Sequence, residues 1–254
     1  MFFNSEIGII LHRRLDADVG QRYTLSVFVK TLRPKVKHRP DQPGPGVTYR
    51  GPVDLYSELV NYPDLTIEEH CNSAQLKAML DFMFNTDTME DIDVVKSFSR
   101  GAKSYHRRIK EGRMIEFVIE RLSLIPESKK AVVVFPTYED YAAVMRNHRD
   151  DYLPCLVSIQ FRLLPDGKDY VFHTTFYSRS MDAWQKGHGN LLSIAKLSDW
   201  VRENVSARIG RKIMLGPLDG MICDVHIYKE TYAEACKRLA NLDLRRTQFD
   251  AVRN

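Results

Sequence analysis

The chain has 254 residues, 44% of them hydrophobic, enough to close one sizeable core in a single domain spanning residues 1–254. Lys and Arg number 37 against 33 Asp and Glu, a formal charge of +4 spread with mixed sign along the chain. That balance falls short of what a nucleic-acid polymer would demand and suits an anionic small substrate. No apolar run reaches the ~18 residues of a membrane span. The amino-terminal MFFNSEIGIILHRRL is only briefly apolar, and no small-residue cleavage site follows it. Cys71, Cys155, Cys223 and Cys236 show neither a CxxC pair nor metal-type spacing with histidine, so no disulfide framework and no metal site is expected. Reduced thiols in a cytoplasmic protein follow from that pattern.

In chain order, Arg22 to Leu32 alternates apolar and polar residues and predicts a strand. The stretch after it, RPKVKHRPDQPGPGVTYRGP, dense in proline, glycine and basic residues, predicts an exposed loop, either a solvated surface segment or a phosphate-gripping arm. Ser73 to Phe84 predicts a serine-capped buried helix, and Asp87 to Val95 an acidic turn. Gly101 to Arg108 reads as a basic loop, and Ile109 to Leu122 as a second helix that stops before Pro126. A Lys129-Lys130 pair then precedes a five-residue apolar run that predicts an interior strand, followed by a short helical segment. The two lysines fit either gatekeepers of that strand or a phosphate grip.

Leu156 to Leu164 and Val171 to Tyr177 predict a hairpin around Pro165-Asp166-Gly167. Leu191, Ile194, Leu197 and Val201 form a helical stripe, which puts Asn190 at or near a helix start. Gly216 to Tyr228 predicts a strand with His226 and Tyr228 on one face, and a charged amphipathic helix and tail follow. The hairpin sets Arg179 across from Cys155. A guanidinium there favours the thiolate, the form of cysteine that attacks carbon. Strand and helix order by themselves allow α/β or α+β.

Pro154-Cys155, Gln160-Phe161, Tyr177-Ser178-Arg179-Ser180 with Asp182, then Asn190, then Asp224-x-His226-x-Tyr228 form an ordered five-part pattern. From Pro126 to about Lys229 it resembles the thymidylate synthase and pyrimidine hydroxymethylase superfamily. The resemblance implies an α+β fold with a large mixed β-sheet packed with helices, one sheet face forming a homodimer interface. It implies Cys155 as the nucleophile that adds to C6 of a pyrimidine nucleoside monophosphate, activating C5 toward a one-carbon unit. Arg179 and Ser180 match the groups that hold the phosphate, and Gln160 a residue near base and sugar. Asn190 matches the amide that reads the ring edge. An amide both donates and accepts, which suits uracil. His226 and Tyr228 match the pair on the sugar hydroxyl, and Lys129 and Lys130 the two arginines donated to the phosphate across a dimer. Asp182 matches an aspartate that holds the pterin of 5,10-methylenetetrahydrofolate.

The chain also departs from the pattern: lysines replace the two arginines, the tail beyond Tyr228 is short, ends Arg-Asn and lacks the apolar residues that close over folate, and two further positions differ. Where the family has an early catalytic glutamate, the sequence is apolar near Met79, leaving Asp81 and His188 as replacements by position. His188-Gly189 stands where the family has Pro-Phe, which exchanges an aromatic wall for a titratable group. The expected activity is one-carbon transfer to C5 of a uridine-type nucleotide. The alternatives are a folate-independent reaction on the same scaffold, and a nucleotide-binding protein without turnover.

Overall fold

The structure is a computed structural model. It describes residues 73–87, 103–146, 153–182, 184–228 and 230–231, positions 233, 234 and 237, and strand segments at 7–8, 12–14, 22–24, 28–29, 34–35 and 47–52. The acidic stretch after Asp87 and most of the carboxy-terminal helix and tail lie outside these residues, as do Cys71 and Cys236. Among the described residues no helix is long and apolar enough to cross a membrane.

The first six strands are β1 (Ile7–Gly8), β2 (His12–Arg14), β3 (Arg22–Thr24), β4 (Phe28–Val29), β5 (Pro34–Lys35) and β6 (Val47–Pro52). They are followed by helices α1 (Ser73–Phe82), α2 (Tyr105–Gly112) and α3 (Met114–Leu124), strand β7 (Val132–Val134) and helix α4 (Tyr138–Arg146). The rest is β8 (Leu156–Asp166), β9 (Asp169–Ser178), β10 (Met181–Asp182), α5 (Gly187–Ile209), β11 (Ile213–Ile222) and β12 (Val225–Tyr228). A mixed five-stranded sheet in the order β6-β11-β9-β8-β7 is the centre of the molecule, and a small sheet β10-β12-β5 stands beside it. β11 runs parallel to β9, while the other pairs of the large sheet are antiparallel.

The β8–β9 hairpin turns at Gly167-Lys168, where Gly167 takes a left-handed φ of 60° that a side chain would strain. Its register puts Phe172 opposite Leu163 and Phe176 opposite Ile159. All four are buried, and the long helix α5 packs beside them through Leu191, Ile194 and Val201. α5 also packs on α1, α3 and β11. Phe135, Phe161, Phe172 and Phe176 are each essentially fully buried, worth about 1.5–3 kcal/mol apiece in apolar transfer. On the opposite face, Val134, Ser158, Tyr177 and Met221 line up across four strands by register. Val134, Tyr177 and Met221 of that row are exposed.

Several elements differ from the sequence expectation, each for a nameable reason. The segment expected as an exposed loop contains β5 and β6, because both pair with strands far along the chain, β12 and β11. Such pairing is invisible to local propensity. β6 is an edge strand, the place where a terminal proline such as Pro52 is tolerated. The run expected as an interior strand, β7, is at the other edge. Residues 105–108 of the expected basic loop are the first turn of α2, capped by Ser104, whose Oγ accepts from Arg107 N at 3.0 Å. The single helix expected over Ile109–Leu122 is broken at Arg113, which adopts φ 47°, ψ 35° between α2 and α3. The strand expected over Gly216–Tyr228 is likewise two, β11 and β12, parted at Cys223-Asp224.

Candidate active site

Cys155 lies just before β8, and β9 ends beside it. The ladder from Ser178 back toward Ser158 contains a bulge between Leu156 and Ser158, a local twist of the kind that re-aims a neighbouring side chain. Three successive carbonyls are held from β9 and the residue after it. Arg179 donates from Nη2 to Leu153 O at 2.6 Å and from Nε to Pro154 O at 3.1 Å. Cys155 O accepts from Arg179 N at 2.8 Å and from Ser178 Oγ at 2.9 Å. On the other side, Leu156 N donates to the Tyr105 hydroxyl at 3.0 Å. The cysteine is thus fixed by its backbone while its side chain stays partly accessible.

Ser180 completes this cluster. It is buried, and its Oγ donates to Cys155 Sγ at 3.5 Å. Arg179 Nη1 takes no part in the bonds to Leu153 and Pro154. One guanidinium can therefore anchor the loop and present N–H groups to an anion as well. Cys155, Arg179 and Ser180, three residues expected from sequence to act together, are together.

β10 then runs parallel to β12, with Met181 opposite Val225 and Asp182 opposite His226. This is how His226 and Tyr228, nearly fifty residues later, reach the same end of the sheet. Both face one way, and their rings meet edge-on at 5.0 Å. Asp182 is buried, and its oxygens accept from Trp184 N at 2.9 Å, Gln185 N at 3.2 Å and Gln185 Nε2 at 2.7 Å. It ties the turn leading into α5. Asn190, half-buried, is in the first turn of that helix, its N–H donating to Lys186 O at 2.8 Å. His188 is in the same turn.

Gly189, between them, packs tightly on Met79 of α1. Met79 is buried, and Asp81, two residues on, is exposed. Gly189 and Met79, two positions marked out in the sequence as departures from the expected pattern, therefore touch each other.

Lys129, Lys130 and Gln160 are elsewhere. Gln160 Nε2 donates to Lys129 O at 3.0 Å, and Phe161 N donates to Ala131 O at 2.9 Å, so the lysine pair lies against the middle of β8. The five residues from Cys155 to Gln160 span roughly 17 Å of strand. Within one chain these lysines do not join the Cys155 cluster. Both are exposed.

Sequence reasoning missed Ser178, Tyr105 and the Met79–Gly189 contact. Ser178 was legible in principle, since it adjoins Arg179 and the hairpin register places it opposite Leu156. Tyr105 carries no such signal, being fifty residues away in sequence. Among the described residues no group of three or more His, Cys, Asp or Glu side chains could hold a metal ion.

No family model matches the sequence, and no curated protein matches it. Among solved structures the chain is similar to thymidylate synthase from T4 phage, with 18% identity, 78% of this chain and 71% of that chain covered, and a TM-score of 0.48.

Proposed function

We propose that the chain is a single-domain, thymidylate synthase-like transferase that adds a methyl or hydroxymethyl unit at C5 of a uridine-type nucleoside monophosphate. Cys155 Sγ adds to C6, the C5–C6 electron pair moves into the ring as an enolate, and C5 attacks the one-carbon electrophile. With a formaldehyde-level donor, loss of the C5 proton expels the donor's amine and leaves an exocyclic methylene. That methylene takes either water, giving hydroxymethyl, or a hydride from a reduced donor, giving methyl, as the thiolate leaves C6 and the ring is restored. The observation that carries this reading is the cluster around Cys155. Its Sγ meets the Ser180 hydroxyl at 3.5 Å, and Arg179 grips the two residues before it. A guanidinium bonded to the two residues before the cysteine and a hydroxyl on its sulfur suit both a phosphate dianion and a nucleophilic thiol. Asn190 is assigned to the ring edge, and His226 with Tyr228 to the sugar.

A second copy of the chain is part of the reading. The exposed row of Val134, Tyr177 and Met221 offers a sheet face to cover. A partner would bring Lys129 and Lys130 to a phosphate that they do not reach within their own chain. Lysine there keeps the charge but not the two-pronged geometry of arginine.

The one-carbon donor implied by the resemblance is 5,10-methylenetetrahydrofolate, with Asp182 holding its pterin. The residues present do not fit that assignment: the Asp182 carboxylate is buried and already accepts three hydrogen bonds from the turn it caps. No step is therefore derived through folate. The same observation, with buried Met79 where the pattern has a carboxylate, favours a second reading. In it Cys155 adds to C6 and C5 exchanges its proton, or meets another electrophile, without folate.

Deoxyuridine and uridine monophosphates tritiated at C5, incubated with and without methylenetetrahydrofolate, separate the readings. Folate-dependent product mass supports transfer. Folate-independent tritium release that vanishes in Cys155→Ala supports the second reading. Nucleotide binding with neither outcome leaves a binding protein without turnover.

A further inference from the structure

Ser178, the last residue of β9, is buried, and its Oγ stands 2.9 Å from Cys155 O and 2.9 Å from Ser180 O. A serine hydroxyl has a single proton to donate, so the two carbonyls share it in a three-centre bond. That atom therefore ties the backbones of Cys155 and Ser180 to each other, beside Arg179 N, which also donates to Cys155 O at 2.8 Å. Their side chains are the pair whose Sγ and Oγ meet at 3.5 Å. A hydrogen bond to a charged form favours that form, so how the Ser180 hydroxyl is held relative to the sulfur bears on the thiolate.

We propose that Ser178 is a positioning residue for Cys155: its shared hydroxyl holds the Ser180 hydroxyl within bonding distance of the thiol. The inference rests on the reading of Cys155 as nucleophile and adds to it a residue that touches neither substrate nor sulfur. Ser178 works through Ser180. Removing its hydroxyl takes that donor from Ser180 O, leaves Cys155 O to Arg179 N, and loosens the tie between the two backbones.

The test is the pH profile of Cys155 alkylation by iodoacetamide in the full chain, read by mass on the peptide that contains Cys155 so that the other cysteines do not interfere. Ser178→Ala is expected to move the profile to higher pH, with alkylation near neutrality several-fold slower. Ser178→Thr, which keeps the hydroxyl, is expected to follow the unsubstituted chain. Ser178→Ala combined with Ser180→Ala is expected to move the profile no further than Ser180→Ala alone. The proposal is overturned if the Ser178→Ala profile stays in place, if Ser178→Thr moves as far as Ser178→Ala, or if the double substitution moves by the sum of the two. Should Ser178→Ala not fold, Ser178→Cys, with its weaker donor, takes its place under the same criteria, and an unmoved Ser180→Ala profile overturns the proposal. Alkylation needs no nucleotide. A chain inert toward pyrimidine nucleotides can still pass this test, and one that fails it can still release tritium.

Discussion

The side chain of Met79 lies against Gly189 so closely that a Cβ added there would stand 2.9 Å from Met79 Cβ and 2.8 Å from its Cε. In an open helix Gly→Ala gains about 0.5–1 kcal/mol, but forcing a methyl into a packed contact costs about 1–3 kcal/mol. Met79 Cβ is fixed to the backbone of α1 and cannot swing away, so the second effect wins. Gly189→Ala is expected to lower stability by about 1–2 kcal/mol in urea unfolding. Met79→Ala keeps that Cβ but removes Cε, so in the Met79→Ala background Gly189→Ala should cost less, with a coupling of about 0.5–3 kcal/mol. A higher urea midpoint in Gly189→Ala alone would show that α1 gives way freely.

Arg179 commits two nitrogens to backbone carbonyls at 2.6 and 3.1 Å. Lysine could hold only one of them while also meeting an anion. Arg179→Lys is therefore expected to weaken binding of deoxyuridine monophosphate about tenfold or more, since a charge-assisted hydrogen bond is worth about 1.5–3 kcal/mol. Calorimetric titration measures this directly. Unchanged affinity would remove Arg179 from the phosphate grip.

The part of the site carried by the hairpin was legible because antiparallel register is arithmetic. Once Gly167 marks the turn, Cys155 must fall near Arg179 and Ser180. The His226-x-Tyr228 face followed from the period of two. What could not be read depends on contacts between distant segments. β6 is a strand only because β11 lies next to it, and Arg108, expected in a basic loop facing either an anion or solvent, is buried because Asp140 waits thirty-two residues on. The helix break at Arg113 has no glycine or proline at the broken position to announce it.

The Arg108–Asp140 pair makes a pH prediction. Arg108 Nη1 and Nη2 donate to Asp140 Oδ2 at 2.6 Å and Oδ1 at 2.7 Å, and Nη1 also donates to Phe135 O at 3.0 Å. Burial, the largest single influence, pushes the Asp140 carboxyl up, but the hydrogen bonds from Arg108 and Thr137 and the charge of Arg108 together hold it below the ordinary carboxylate value. A depressed folded value means that the contribution is present above the ordinary carboxylate range and is lost as pH falls through the folded value. The stability gap between the unsubstituted chain and Asp140→Asn is thus expected to be widest near neutrality and to narrow in acid, by urea unfolding across pH. Arg108→Met, which strands the Asp140 charge, should cost about 3–5 kcal/mol at neutral pH. A gap that widens in acid would contradict the assigned sign.

Arg113 carries the last prediction. It is the non-glycine residue with positive φ among the described residues, and its side chain is exposed, so nothing in its packing rewards the left-handed backbone. Its N–H donates to Lys110 O at 3.2 Å to close α2, and its carbonyl accepts from Phe117 N at 3.1 Å to start α3. Glycine can keep both bonds and escape a left-handed penalty of about 1–2 kcal/mol, against about 0.5–1 kcal/mol of extra freedom in the unfolded chain. Arg113→Gly is expected to raise stability by about 0.5–1 kcal/mol, and Arg113→Val, β-branched at the same backbone angles, to lower it. Equal urea midpoints for the two variants would mean that α2 and α3 join without strain at this residue.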